Sequence, residues 1–335
     1  MQSFRAVLAA VAACLSLAAP AVAVTGCEGE DLIAALPADE RSRIVALAEA
    51  QPFARGNLWR AQRGEQVVHL VGTYHFDDPR HDAMIARVAP LLEPPARLLV
   101  EAGPEEEAQL QAELVARPDF MFLTEGPTLP ELLPGSDWQA LSDAVRARGI
   151  PPFLASRFRP WYLSIVLAMP PCAMEAVARG DRGLDHRIMD IADGNGIPVA
   201  ALEPFDTLFR IFGTLTLEQE LDMVRAVLLM QSRPEDMAVT LADAYFRGES
   251  RLLWEFAVAD ARKVSGLDPA VIEEQFGLME EVLMNARNRA WIPVILEAAE
   301  AGPVVAAFGA LHLPGAEGVL ALLEAEGFRI ERLDR

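Results

Sequence analysis

Two stretches of this sequence decide its fold: VVHLVGTYH, from Val67 to His75, and VVAAFGALH, from Val304 to His312. They align without a gap as two valines, two variable positions, an apolar residue, Gly, two more variable positions and His. One stretch lies near each end of a 335-residue chain that contains only five histidines. A histidine-poor protein that repeats this pattern is expected to use both copies together.

Each stretch begins as a buried β-strand, and further strands of the same kind lie between them. Arg97–Glu101 is short and apolar and precedes an acidic helix that begins at Pro104, whereas Ile197–Leu202 runs into Glu203. Short apolar strands that alternate with helices are typical of a parallel sheet. The sequence therefore predicts an α/β fold whose central, mostly parallel sheet is built from βα units at the N- and C-terminal ends.

The middle of the chain has a helical pattern. Its last long helix is predicted over Pro269–Glu300, with a break near Pro293, because proline interrupts helices. We expect a helical insert over about 204–300 that forms a cap over the sheet, inside a single domain of residues 57–335. Residues 24–56 are then an N-terminal arm.

The ends of the strands carry the candidate site. Sites in parallel α/β sheets form at the carboxyl ends of the strands, and Gly72 and Gly309 would let the chain turn sharply there. His75 and His312 then converge if their strands are neighbours, and Glu101 arrives from a third strand. One G-x-x-H is a weak signal, but the repetition favours a shared use. Two imidazoles and a carboxylate predict a divalent-metal site of the hydrolytic kind, holding Mn, Co, Zn or Fe.

Other polar residues have two open interpretations each. Glu203 either caps the helix after it or lines the cleft as a second acid, and Glu101 itself can also be read as a helix cap. Arg287 lies on a solvated helix face, or it faces the site and holds a carboxylate or an oxyanion. Asp77 and Asp78 either orient an imidazole or cap a helix.

The remaining three histidines are interpreted as structural. His69 alternates within its strand and belongs to packing or surface. His81 begins a helix, and His186 lies on a polar, solvated helix face.

The first residues read as an export signal. Arg5 precedes a short apolar run, and Ala21–Ala23 forms an A-x-A cleavage site. The predicted signal peptide is residues 1–23, and no transmembrane segment is predicted in the mature chain. The protein is then secreted across the inner membrane and is periplasmic.

Export leaves two cysteines, Cys27 and Cys172. In an oxidising compartment a disulfide between them is favoured. The alternative is lipoprotein anchoring through an acylated Cys27, since Val24–Cys27 looks like a lipoprotein signal.

The charge restricts the partners. The net charge is −20, and an acidic chain repels phosphate backbones, so nucleic acid is excluded as a partner class. A peptide or protein is the expected substrate or ligand, and the sequence does not indicate an oligomeric state.

Six segments together resemble the TraB/GumN family, which is related to the Tiki-type proteases. The resemblance covers about residues 57–333 and rests on GTYHFDDPR, LLVEAGPE, RPWYLSIVL, GLDHRIMDIADGNGIPVAALEPFD, ARNRAW and FGALHLPGAEGVLALLEAEGF. The resemblance implies an α/β fold with two related halves. At the matching positions of this sequence it assigns His75, Glu101 and His312 to a metal site, and Arg287 and Asn288 to the polar support of that site.

The expected function is that of an exported metal-dependent hydrolase which cleaves peptide bonds. A water activated by the metal attacks the carbonyl, Glu203 or another acid shuttles the proton, and Arg287 steadies the developing charge. The alternative is a binding protein that captures a peptide, or an iron or haem ligand, without turnover. The hydrolase needs an acid that is free to act as general base, whereas the binding protein does not, so such an acid would distinguish the two functions.

Overall fold

The computed structural model of the chain describes residues 27–229, 231 and 233–334. The predicted signal peptide, residues 1–23, lies outside the described residues.

A six-stranded mixed sheet forms the centre of the molecule. Its strands are β1 (Leu58–Arg63), β2 (Gln66–Thr73), β3 (Arg97–Val100), β4 (Val199–Ala201), β5 (Val304–Gly309) and β6 (Arg329–Arg332). They lie in the order β4-β3-β5-β2-β1-β6. Strands β4, β3, β5 and β2 are mutually parallel, whereas β1 is antiparallel to both of its neighbours. The predicted α/β fold with a mostly parallel central sheet is therefore confirmed.

The two repeated stretches lie side by side. β2 and β5 pair in parallel, with Val71 opposite Ala307 and Thr73 opposite Gly309. β3 pairs with the other edge of β5. Both repeats are apolar and fully enclosed by neighbouring strands, which is the environment that such valine-rich runs require. The N- and C-terminal parts of the chain thus share one sheet, as predicted.

Helices surround this sheet and also form a lobe of their own. The α-helices are Ala38–Glu49, His81–Val88, Pro104–Ala116, Leu129–Leu132, Gly135–Ala147, Pro152–Ala155, Pro160–Ala168, Met174–Arg179, Leu184–Gly194, Thr207–Gly213, Leu217–Leu229, Pro234–Phe246, Ser250–Val264, Pro269–Glu280, Ala286–Glu300 and Val319–Ala325.

The two faces of the sheet are covered by different helices. On one face Trp291 and Ile295 pack against Ala306 and Phe308. On the other face the helix Leu184–Gly194 packs against the sheet through Leu184 and Ile188, together with Val305 and Ala307. Full burial of each large apolar side chain is worth roughly 1.5–3 kcal/mol, so these layers fix the sheet's ends in place.

A separate apolar core holds the helical lobe together. It joins Phe158 and Leu163 to Leu221 and Val224. Its helices come from both sides of β4, so the lobe includes segments before residue 204 as well as part of the predicted insert over 204–300. Arg159 forms an ion pair with the fully buried Glu220 at its centre.

The last long helix differs from the prediction in one respect. Pro293 lies inside a continuous helix, Ala286–Glu300, so the break predicted near it is wrong. The irregularity lies earlier, at a π-helical turn over Glu281–Asn285. A π-turn rotates the residues that follow it, and such turns are frequent at functional sites. Arg287 and Asn288 follow directly.

The N-terminal arm is fastened at two points. Cys27 is disulfide-bonded to Cys172, as predicted, and this bond uses the sulfur that lipid attachment to Cys27 would need. The helix Ala38–Glu49 buries Ile44 and Ala48 against Phe256. The arm is thus packed onto the helical part of the domain.

No single helix among the described residues is both long and apolar enough to cross a membrane. The bent pair formed by Pro160–Ala168 and Pro171–Gly194 meets the requirement by length and composition only.

Candidate functional site

Four polar side chains emerge at one edge of the sheet. His75 follows β2, Glu101 follows β3, Glu203 follows β4, and His312 lies in a short 3-10 turn after β5. Because these four strands are parallel, their carboxyl ends meet at the same edge. The strand order puts β5 between β2 and β3, so His75 and Glu101 arrive from its two sides.

The missing side chain of Gly309 marks the point where three of these groups converge. A Cβ atom there would lie 3.3 Å from Oε1 of Glu101, 3.5 Å from Nε2 of His75 and 3.7 Å from Cδ2 of His312. Nε2 of His312 is itself 3.9 Å from Oε1 of Glu101. The structure therefore brings the three residues proposed as ligands to one small space, which any larger residue at position 309 would fill.

The two glycines of the repeat differ from each other: Gly309 ends β5 directly before the 3-10 turn Ala310–His312, whereas Gly72 does not turn the chain as expected. Gly72 lies inside β2, and neither glycine has a positive φ. A Cβ on Gly72 would lie 2.7 Å from Cδ1 of Leu313 and 3.0 Å from Cα of Ala310. Gly72 is thus needed for the close approach of the segment after β5, and Gly309 for the open space between the ligands.

His312 is held by packing and by a hydrogen bond at Nδ1. Its ring is buried and lies 4.4 Å, centroid to centroid, from Trp291. Asn288 donates from Nδ2 to the carbonyl of Glu317, so its Oδ1 accepts a hydrogen bond from Nδ1–H of His312 at 2.6 Å. The lone pair is therefore on Nε2. Burial lowers the pKa of His312 to about 4, and the charge of Arg287 adds to this, so the ring is neutral at pH 7.

His75 is the exposed member of the site. Its side chain is 63% exposed, and Nδ1 lies 3.2 Å from Oδ1 of Asp185. Partial loss of hydration lowers the pKa of His75, but the carboxylates of Asp185 and Glu101 outweigh it and raise the pKa to about 9. His75 therefore carries a proton on Nε2 at neutral pH, and a cation that binds there must displace it.

Glu101 is ionised and doubly hydrogen-bonded. Oε1 accepts the backbone N–H of Gly309 at 2.6 Å, and Oε2 accepts Nη2 of Arg287 at 2.7 Å. Burial acts to raise the pKa of Glu101, but His312, Arg287 and His75 hold it at about 2. The alternative that Glu101 caps the following helix is not what the structure shows, because the cap contact at Gly103 comes from Glu106.

Arg287 faces the site and joins its two acids. It donates from Nε and Nη2 to the two oxygens of Glu203, at 2.8 and 2.7 Å, and its Nη1 lies 3.4 Å from Nε2 of His312. Nε1 of Trp291 also donates to Glu203 at 3.0 Å. Glu203 is therefore a buried anchor for Arg287, which excludes the reading of Arg287 as a solvated residue.

The other predictions for polar residues have mixed outcomes. His186 was expected to be solvated, but its side chain is 12% exposed and contacts Glu107, so that prediction is wrong. His81 begins a helix as predicted. Asp78 binds Arg80 rather than a site imidazole. The sequence interpretation missed Asp185, and the one signal nearby is Gly183, two residues before it, directly ahead of the helix Leu184–Gly194.

The donor chemistry fits a divalent cation, although a cluster is not preformed. Among residues 27–229, 231 and 233–334, no group of three or more His, Cys, Asp or Glu side chains is arranged to hold a metal ion. The guanidinium of Arg287 already binds Glu101 and approaches His312. Nevertheless, both imidazoles present Nε2 beside an ionised carboxylate, and this donor set suits Mn, Co, Zn or Fe.

Comparison with known proteins identifies the family of the chain. No curated protein matches the chain at a significant level. A family model, that of the TraB/PrgY/gumN family, matches residues 57–332. This range runs from the residue before β1 to the end of β6 and includes every residue of the site described above. The chain therefore belongs to the TraB/PrgY/gumN family.

Proposed function

We propose that this protein is a metal-dependent hydrolase that cleaves peptide bonds. The observation that carries the proposal is the convergence of His75, Glu101 and His312 on the space above Gly309. Nε2 of each imidazole and an oxygen of Glu101 would hold the ion. When bound, a divalent cation of this kind supplies a water of lowered pKa and polarises a carbonyl group.

The chain's own residues hold and balance this site. Asn288 fixes the tautomer of His312, so that its lone pair points to the shared space. Arg287 is placed beside Glu101 and His312, where its charge would stabilise an oxyanion that develops on a substrate carbonyl. Glu203 holds Arg287 in this position through two hydrogen bonds.

One observation favours a second candidate function. An enzyme of this type needs an acid that is free to accept a proton. Glu203 already accepts three hydrogen bonds, two from Arg287 and one from Trp291. It can act as a base only if it gives one of them up. A protein that captures a peptide, or an iron or haem ligand, without turnover has no such requirement and would use the same cleft.

We further propose that the protein acts outside the cytoplasm, in the periplasm. The disulfide between Cys27 and Cys172 supports an oxidising compartment. The expected partner is a peptide or protein, and the net charge of −20 argues against nucleic acid.

A direct experiment tests the hydrolase. The purified mature protein is analysed for bound metal and assayed on a peptide library with and without a chelator. The same measurements follow for His75→Ala, His312→Ala and, as a matched control, His69→Ala, which lies in β2 away from the carboxyl edge. We expect metal and cleavage to be lost in the first two variants and retained in the control.

Each contrary result has a defined meaning. Unchanged metal content in both site variants would refute the proposed ligands. Metal binding that depends on both histidines, without chelator-sensitive cleavage of any peptide, would replace the hydrolase by the binding protein.

A further inference from the structure

We infer that the segment Gly183–His186, at the start of the helix Leu184–Gly194, positions His75, and that Asp185 is the positioning residue. This inference rests on the proposed function in one respect only, because it takes metal binding as the role of His75. The contacts themselves belong to the metal-free protein.

The backbone of this segment is pressed against the loop after β2. A Cβ on Gly183 would lie 2.3 Å from the carbonyl carbon of His75 and 2.5 Å from the carbonyl oxygen of Tyr74. Real Cβ atoms do not approach backbone this closely, so only glycine fits. The next residue, Leu184, donates its N–H to the carbonyl of Tyr74 at 3.0 Å. The helix start thereby fixes the backbone of His75.

Asp185 then fixes the ring. Nδ1 of His75 lies 3.2 Å from Oδ1 of Asp185 and donates to this oxygen. With Nδ1 engaged, Nε2 is the nitrogen that faces the space above Gly309, as observed.

Asp185 also contacts a second histidine, His186, which in turn contacts Glu107. The other oxygen of Asp185, Oδ2, lies 3.1 Å from Nδ1 of His186, and Nε2 of His186 lies 3.1 Å from Oε1 of Glu107. The side chains of Asp185, His186 and Glu107 are 18%, 12% and 9% exposed. The contact at Oδ2 is an ion pair without hydrogen-bond geometry. Together with the contact at Oδ1 it opposes rotation of the carboxylate, so this partly buried chain of side chains supports the acceptor for His75.

His75 needs such a partner more than His312 does. His312 is buried and packed against the ring of Trp291, whereas 63% of the His75 side chain is exposed. An exposed imidazole without a partner samples several rotamers and must be ordered when a ligand binds. Partners of this kind for metal-binding histidines are worth about 10–100-fold in metal affinity.

The test uses the complete mature protein with Asp185→Ala and the isosteric Asp185→Asn. The matched control is Asp190→Ala, on the same helix, which pairs with Arg182 and is 58% exposed. The first readout needs no metal: nuclear Overhauser contacts between the His75 ring and Gly309, in protein with isotope-labelled histidine. The second readout is the affinity for Mn²⁺ and Zn²⁺ by calorimetry. Circular dichroism confirms the fold of each variant.

We expect Asp185→Ala to lose the contact between His75 and Gly309 and to bind both metals about 10–100-fold more weakly. Asp185→Asn, which keeps an acceptor for Nδ1, should lie between Asp185→Ala and the wild type, and Asp190→Ala should match the wild type. Wild-type ring contacts and affinity in a folded Asp185→Ala would overturn the inference. A wild-type protein that binds neither metal would overturn the proposed metal site, while the ring contacts would still decide the role of Asp185.

Discussion

Nη2 of Arg287 donates to Oε2 of Glu101 at 2.7 Å, so a fixed positive charge lies at the carboxyl end of β3. The same guanidinium donates two further hydrogen bonds to Glu203. Both partners are mostly buried, with 12% of the side chain of Arg287 and 12% of that of Glu203 exposed. The positive charge of Arg287 and the negative charge of Glu203 are stable at the sheet edge only because each is paired with the other.

We therefore predict that Arg287→Met costs about 3–5 kcal/mol of unfolding free energy, because it leaves Glu203 as a buried, unpaired charge. Arg289→Met is the matched control. Arg289 lies on the same helix and also binds two acids, but 45% of its side chain is exposed, so we expect a loss of at most about 1 kcal/mol. Urea titrations of both variants give the comparison, and equal losses would refute the anchoring role of Glu203.

The two glycines of the repeated pattern are predicted to fail in different ways when changed to alanine. Gly309→Ala places a methyl group 3.3 Å from Oε1 of Glu101 and 3.5 Å from Nε2 of His75, where it occupies the ligand space but meets only side-chain ends. We expect metal affinity to fall at least about tenfold, a loss of roughly 1.4 kcal/mol of binding energy, with little change in stability.

Gly72→Ala should have the opposite effect, with a loss of stability and little change in metal affinity. Its methyl group would lie 2.7 Å from Cδ1 of Leu313 and 3.0 Å from Cα of Ala310, inside a packed layer, so we expect a destabilisation of about 1–3 kcal/mol. Thermal unfolding and calorimetric metal titration separate the two effects. A Gly309→Ala protein with unchanged affinity would show that the cation, if bound, does not occupy that space.

Metal affinity is predicted to rise with pH. His75 has a pKa raised to about 9, since Asp185 and Glu101 outweigh its partial loss of hydration, so below that pH a cation must displace one proton from it. Affinity should then increase about tenfold per pH unit until about pH 9, with release of one proton on binding. Calorimetry at pH 7 in buffers of different ionisation enthalpy measures this proton directly. Binding without proton release would exclude His75 as a ligand.

The stability of the metal-free protein is predicted to be highest near pH 6.5. Burial, together with Arg287, lowers the pKa of His312 from 6.5 to about 4, so the unfolded chain binds more protons between these values and stability falls as pH decreases. Although burial opposes it, pairing with Asp185 and Glu107 raises the pKa of His186 from 6.5 to about 9. The contribution of His186 to the free energy of unfolding is therefore complete below pH 6.5 and is lost as pH rises towards 9.

Urea titrations between pH 4 and 9 measure both slopes. The pKa of His75 is also raised to about 9, so His75 contributes to the same alkaline slope. His186→Gln should therefore reduce the alkaline slope without abolishing it, and should leave the acid slope unchanged, because His312 is a separate group. An undiminished alkaline slope in this variant would mean that the contact between His186 and its two acids is not one of its sources.

The sheet and most of the site could be predicted because the repeated pattern is local. An apolar run followed by Gly and His is visible in a few residues, and the parallel arrangement of β2 and β5 follows from it. The contact between His75 and Asp185 could not be predicted in this way. It depends on how the helix Leu184–Gly194 packs on the sheet, and only Gly183 indicates a close approach there.

Two errors have the same kind of cause. His186 is polar and lies on a helix, which alone indicates solvent, but the helix Pro104–Ala116 brings Glu107 to it. Pro293 normally interrupts a helix, yet the packed neighbours Trp291, Ile292 and Ile295 hold Ala286–Glu300 continuous. In both cases tertiary packing decides against the local preference.

The disulfide provides the last prediction. Cys27 and Cys172 are 145 residues apart in sequence, and closing a loop of this length is worth roughly 4–5 kcal/mol in the chain-entropy model. Cys27→Ser, Cys172→Ser and the double variant should lose the same stability, because each removes the same bond. Urea titrations of the three variants and of the reduced wild type test this. A double variant that is markedly less stable than either single variant would mean that each cysteine contributes separately. Because the bond occupies the sulfur of Cys27, we also expect the intact mass of the wild-type protein to show no lipid, and a mass that includes acyl chains would refute the bond between these two residues.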